Sequence, residues 1–127
     1  MSSFTDYLEN AVLNYVFRNT GTPTSAAVHL ALFTVTPSDA GGGTEVSGSG
    51  YARQVTAFGA SSGGAIANTA AESFTASGGA FGTVVAVGIF DASTGGNLIA
   101  WDGITSAVVG DGTTLNFAIG DIDISLT

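Results

Sequence analysis

The sequence contains no cysteine, no lysine and only one histidine. Without cysteine the chain has no thiol nucleophile, no disulfide framework and no zinc-thiolate site. Without lysine it has neither the lysine of a phosphate-binding P-loop nor Schiff-base chemistry. One histidine cannot build a multi-histidine metal site within a single chain. These absences exclude many enzyme classes, and we expect a protein that is not an enzyme and needs no cofactor or metal.

Charge is scarce and mostly of one sign. Charged residues make up 9% of the sequence, and 10 acidic residues against 2 arginines give a net charge of −8. The negative charge argues against nucleic acid or an anionic membrane as a partner, and no apolar run reaches the roughly 18 residues of a membrane span. A surface of small uncharged side chains loses little side-chain entropy on packing. The composition therefore favours a protein that assembles with other proteins.

The length of 127 residues suffices for one domain with its own core. The amino-terminal segment lacks the basic region and the cleavage site of a signal peptide, so we expect synthesis in a cytoplasm. We predict a single domain over residues 1–127, with an N-terminal helix in residues 1–20 and a β domain in residues 24–127.

The N-terminal segment has apolar residues at helical spacing, which predicts a helix over residues 4–18. Ser3 and Asp6 have the spacing of a capping box. The simpler expectation is that this helix packs on the core. Leu13 and Phe17 lie beside the main apolar stripe and widen it, so an arm that docks on another subunit stays open. The main stripe consists of Phe4, Leu8, Ala11, Val12, Tyr15 and Val16.

In the rest of the chain, apolar residues recur with a period of two, and glycine-rich turns interrupt this pattern. We therefore predict a mainly β fold, in which the N-terminal α-helix is followed by about seven short strands in a β-sandwich or barrel-like domain. Gly88, inside the clearest strand, marks a bulge or a close contact with a neighbour. The 37–50 segment is a long loop of the kind that is often functional or mobile. The predicted strands cover residues 26–34, 51–58, 65–74, 83–91, 97–104, 113–119 and 121–127.

The acidic residues and the histidine offer little chemistry. His29 lies in an apolar strand and fits a core or interface position better than a catalytic one. Asp121 and Asp123 share a strand face, and a solvated face explains them better than a catalytic pair. Leu126 alternates with them in the same predicted strand and is therefore expected to point inward. The aspartates in turns accept hydrogen bonds from nearby backbone N–H groups, and their pattern does not match a calcium-binding EF-hand loop. These turn aspartates are Asp39, Asp102 and Asp111.

Two further hypotheses concern single side chains. Asp91, Asn97 and Trp101 belong to a predicted hairpin and are candidate contacts for a glycan, although a tryptophan in such a position is more often part of the core. Arg18 and Arg53 are the only cations against ten acids. Each is therefore expected to form a specific ion pair, either within the chain or across an interface.

Three stretches carry a resemblance to a known family: FTDYLENAVLNYVFRNT, HLALFTVTPSDAGGGTEVSGSGYARQVTAFGA, and GIFDASTGGNLIAWDGIT with the closing GDIDISL. In this order they resemble a family of small tailed-bacteriophage virion structural proteins, often labelled tail fibre proteins. The resemblance implies a virion protein made in the cytoplasm of a bacterial host.

The size of the chain bears on what the label means, because a fibre normally needs a long shaft. We therefore favour a head decoration (cement) protein that binds the major capsid protein, with a homotrimer expected by analogy alone. The alternative is a tail fibre or tail-tip protein that contacts tail proteins and attaches to the host, with carbohydrate as a candidate receptor. For a decoration protein, the helix over residues 4–18 or the 37–50 segment is the expected contact with the capsid. The candidate interface residues are Phe4, Leu8, Leu13, Phe17, Arg18, Glu45, Tyr51 and Arg53.

Overall fold

The structure is a computed structural model that describes residues 3–21 and 27–126. The predicted boundary between residues 20 and 24 lies partly outside these ranges, as do the expected ends at residues 1 and 127. Within residues 3–21 and 27–126, no helix has both the length and the apolar composition of a membrane span. The elements are β1 (Ser3–Phe4), α1 (Asp6–Arg18), β2 (Val28–Val35), β3 (Thr44–Glu45), β4 (Gln54–Thr56), β5 (Ala65–Ala67), β6 (Glu72–Thr75), β7 (Gly82–Phe90), β8 (Leu98–Val109), β9 (Thr114–Phe117) and β10 (Asp123–Ser125).

The strands form one larger antiparallel sheet and two ribbons. The sheet has the order β1-β8-β7-β2-β3, with β4 also paired to β2. The ribbons are β5 with β10 and β6 with β9, both antiparallel. The expectation of a mainly β fold with an N-terminal helix is confirmed.

The main core lies on one face of the sheet. Leu30 and Leu32 of β2 and Ile89 of β7 point to this face and are essentially inaccessible to solvent. Phe74 of β6 and Phe117 of β9 meet them from the ribbon side, with an edge-to-face contact between the two rings at 6.3 Å. The ribbons therefore cover the inner face of the sheet.

A smaller apolar cluster lies on the outer face of the sheet. It consists of Ala31, Phe33, Ala86 and Leu98, with Phe90 and Trp101 packed against it. Gly88 lies beneath this cluster. A Cβ atom at Gly88 would be 2.7 Å from both Phe33 Cε2 and Leu98 Cδ1. The close contact predicted at this glycine is confirmed.

The amino terminus differs from the prediction. Ser3 and Phe4 pair with Trp101 and Ala100 of β8, so the helix begins only at Asp6. The N-cap is Thr5, whose Oγ1 accepts a hydrogen bond from Leu8 N at 3.4 Å. The predicted capping box of Ser3 and Asp6 is therefore wrong, because Ser3 is held in the sheet and cannot cap a helix.

Strand boundaries also differ, most clearly in two places. The strand predicted over 65–74 is divided into β5 and β6, because the buried Asn68 holds a turn between them. Its Nδ2 donates to Ala70 O and Ala118 O, and its Oδ1 accepts from Ile122 N. The strand predicted to end at residue 104 continues to Val109 as β8.

The tight fit at Gly88 generates a prediction. We expect Gly88→Ala to lower the free energy of unfolding by about 1–3 kcal/mol, because the new methyl group forces Phe33 and Leu98 apart. Gly103→Ala is the control, since a Cβ at Gly103 meets only Val85 O, at 4.0 Å. Urea unfolding of both variants measures the effect. Equal stabilities would contradict the tight packing.

Candidate functional site

The side chain of Arg53 joins three segments of the chain at one end of the sheet. Its Nε and one terminal nitrogen donate to the two carboxylate oxygens of Glu45, both at 2.8 Å. The other terminal nitrogen donates to Ala92 O and Gly95 O, also at 2.8 Å. The fork of the guanidinium group thus ties β3 and the segment before β4 to the loop between β7 and β8.

Aromatic side chains complete this network. Tyr51 Oη donates to Glu45 Oε2 at 2.7 Å and accepts from Leu32 N at 3.0 Å. The Arg53 guanidinium carbon lies 3.6 Å from the centre of the Phe90 ring, which is within the range of a cation–π contact. Glu45 therefore bonds to both Tyr51 and Arg53 within the chain, and all three are predicted interface residues.

The network keeps its charges at neutral pH. Burial acts to raise the pKa of Glu45, but hydrogen bonds from Arg53 and Tyr51 outweigh it and hold that pKa below its usual value. Burial and the bond to Glu45 raise the pKa of Tyr51 well above its ordinary value. The bond to Glu45 also raises the pKa of Arg53, against the effect of burial. Carboxylate, phenol and guanidinium thus stabilise one another.

The candidate glycan residues also make internal contacts. Asp91 Oδ1 accepts from Asn97 N at 2.7 Å and Asp91 Oδ2 from Asn97 Nδ2 at 3.0 Å. Trp101 Nε1 donates to Asp39 Oδ1 at 3.1 Å. Asp91 and Asn97 thus close the β7–β8 loop together, while Trp101 holds the segment after β2.

His29 and the acidic side chains are the remaining candidates for chemistry among the described residues. The buried Nδ1 atom of His29 has no hydrogen-bond partner, so no carboxylate is bonded to that nitrogen as in a catalytic triad. Within residues 3–21 and 27–126, no group of three or more His, Cys, Asp or Glu side chains could hold a metal ion.

Helix α1 presents a second notable surface. None of its 13 residues is buried, and Leu8 is the helix residue that packs against the core. The C-terminal half exposes large apolar side chains: Leu13 is 53% exposed, Val16 62% and Phe17 77%. We call these three residues the helix tip. The expectation that the helix packs on the core is therefore wrong for its second half.

The predicted helix contacts thus divide into two groups. Phe4 and Leu8 are half-buried and pack against the main core, whereas Leu13, Phe17 and Arg18 are exposed. Sequence reasoning placed Val16 in the core stripe and missed its exposure. The sequence did contain a signal for this exposure. Apolar residues lie on more than one face of the second half of the helix, and a single packed face cannot bury all of them.

An apolar groove that sequence reasoning missed lies beside the start of the chain. It has a volume of about 270 Å³. Its apolar lining comes mainly from β1, β5 and the region of β10, and we call it the end groove. Leu126, predicted to point inward, is 64% exposed at this groove. The apolar residues of the end groove are Phe4, Ala65, Ile66, Ile124 and Leu126.

Removing the guanidinium group tests the network. We expect Arg53→Gln to lower the free energy of unfolding by about 3 kcal/mol, since it leaves the Glu45 carboxylate partly buried without its partner. Arg18→Gln is the matched control, because Arg18 is exposed and bonds only to Asn14 Oδ1 among the described residues. Chemical denaturation of both variants measures the difference. Similar losses in the two would show that the network does not stabilise the fold.

The pH dependence of stability provides an independent test. Because the pKa of Glu45 is lowered in the folded state, its contribution is complete above the pKa of an unfolded glutamate, about 4.3. That contribution is lost as the pH falls through the lower folded value. Between pH 7 and pH 3, we expect wild-type stability to fall more steeply than that of Glu45→Gln, which lacks the titrating group. Parallel curves from urea unfolding would contradict this.

The chain is similar to a known protein family over nearly its whole length. A family model described as Podophage GP4 fiber I protein gp80 matches residues 3–125. No curated protein matches the sequence. The family match confirms the resemblance to phage virion structural proteins, and it favours the tail-fibre alternative over head decoration.

Proposed function

The chain belongs to the Podophage GP4 fiber I protein gp80 family, and from this we propose that it is a structural subunit of a podophage tail fibre that joins other virion proteins through helix α1. The observation that carries the proposal is the exposed helix tip of Leu13, Val16 and Phe17. The head-decoration interpretation, which rested on the length of the chain, is less well supported than this one.

The energetics of the helix support an assembly role. A helix of 13 residues is marginal in water on its own, and its second half receives little support from the core. Complete burial of one large apolar side chain contributes about 1.5–3 kcal/mol. Covering the helix tip would therefore stabilise both the helix and its attachment to a partner.

The network around Arg53 suits a rigid building block. The network of Glu45, Tyr51 and Arg53 ties its loops together, and few flexible charged side chains cover the surface. We also propose that the protein has no catalytic activity, because no carboxylate is bonded to His29 Nδ1. The carbohydrate hypothesis gains no support, since Asp91 and Asn97 bond to each other and Trp101 bonds to Asp39.

Incorporation into virions tests the proposed role. We expect phage that carry Phe17→Asp to make a folded protein that is absent from purified particles, because a carboxylate at the helix tip opposes its burial. Val108→Asp is the control, because Val108 is also 77% exposed but lies on β8. Immunogold electron microscopy and the amount of the protein relative to other virion proteins give the result.

The position and amount of the gold label decide between outcomes. Label on the tails of the wild type and of Val108→Asp, with none on Phe17→Asp, is the expected pattern. Label over the heads would restore the decoration interpretation. Incorporation of Phe17→Asp at the wild-type level would remove helix α1 from the proposal.

A further inference from the structure

The sequence offers a protease that selects basic side chains very few bonds to cut. Proteases of the trypsin type carry a carboxylate in the pocket that binds the basic side chain, and they hydrolyse the peptide bond that follows this residue. The chain has no lysine and two arginines, Arg18 and Arg53. Only the bonds Arg18–Asn19 and Arg53–Gln54 therefore qualify, and the fold treats the two arginines in opposite ways.

The fold withholds Arg53 from such a protease. Its side chain is 7% exposed, and its three nitrogens donate to Glu45 and to two backbone carbonyl groups. The next residue, Gln54, begins β4 and pairs with Leu30 of β2. A protease pocket can take the guanidinium group only after these contacts have opened, so cleavage at Arg53 requires a large part of the fold to be lost.

The fold presents Arg18 instead. This exposed residue is the last of helix α1. Its Nη1 donates to Asn14 Oδ1 at 3.2 Å, and Thr20 N donates to Asn14 O at 3.1 Å, so these bonds stay at the helix end and do not reach the sheet. Val16 and Phe17, which precede it, are 62% and 77% exposed. A helix end without core contacts opens at little cost in free energy.

We propose that the bond between Arg18 and Asn19 is a processing site for a protease of the trypsin type. Cleavage adds one water across the peptide bond, which leaves a carboxylate on Arg18 and an amino group on Asn19. Helix α1 is thereby severed from the rest of the chain, whereas β2 to β10 stay covalently continuous. The inference goes beyond the proposed fibre role and does not depend on it.

Digestion of the full chain with trypsin under native conditions tests the site, with mass spectrometry at successive times. We expect two fragments, residues 1–18 and 19–127, whose masses add up to that of the intact chain plus one water. Cleavage after Arg53 should be at least about 100-fold slower, because a protease cuts the fraction of molecules that is transiently open. Arg18→Gln should stay intact over the same period.

A relocated arginine is the matched control. Val108 is 77% exposed but lies within β8, where it pairs with Thr83 of β7. The double variant Arg18→Gln, Val108→Arg thus presents an exposed arginine on a paired strand. It should also resist trypsin, since exposure without local opening does not let the backbone enter the protease. Circular dichroism checks that each variant is folded.

Three outcomes would overturn the inference. A wild-type chain that stays intact would show that the helix end is closed to the protease. Cleavage at Arg53 as fast as at Arg18 would show that the network gives no protection. Rapid cleavage of the double variant at the new arginine would show that the helix end is not distinguished from other exposed positions.

Digestion of purified virions separates this inference from the proposed function. If a partner covers helix α1, Arg18 should be protected in particles although it is cut in the free subunit. Equal cleavage in particles and in the free subunit would support the processing site and contradict the proposed contact through α1.

Discussion

The bond between Arg53 and Glu45 is the constraint on which the loop end of the molecule depends. Of the three segments that it joins, the one that carries Arg53 and the β7–β8 loop lie outside the strands, so pairing within the sheet does not hold them together. One guanidinium group satisfies two carboxylate oxygens and two backbone carbonyl groups, and it covers the Phe90 ring. Such a fork cannot be replaced by a lysine, whose ammonium group lacks the planar geometry.

Helix α1, unlike the loop end, is attached to the sheet only at its start. Thr5 caps the helix and also donates to Leu98 O at 2.6 Å, so the first turn is fixed to β8. The second half extends beyond the part of the core that Leu8 contacts. The molecule thus combines a rigid, internally bonded loop end with an apolar helix that is held only at its start. This asymmetry fits the proposed role in a larger assembly, in which the rigid part would set the shape and the helix would contact a partner.

Particular residues show how far sequence reasoning reached. Alternation with a period of two identified most of the long strands, since the two faces of each strand meet different surroundings. The pairing of Ser3 and Phe4 with β8 was missed, because two residues carry no periodic signal. Arg53 was expected to form a specific ion pair, and it does, with Glu45. The sequence could not show whether that pair lies within the chain, because no local sequence pattern relates two residues that come together through loops. Leu126 was predicted from its alternation to point inward. Only the fold shows that it lies beside the β5–β10 ribbon at the edge of the core, where its side chain is exposed.

By itself, the sequence determined the mainly β class, the N-terminal helix, the scarcity of catalytic groups and the resemblance to phage virion proteins. These follow from composition, short-range periodicity and local motifs, all of which are present in the order of residues. Only the tertiary structure decided which apolar residues remain exposed, because exposure depends on what packs against a residue from distant parts of the chain. The helix tip and the end groove are of this kind. Each is an ordinary apolar pattern in the sequence, and each becomes a surface only because the fold leaves it uncovered.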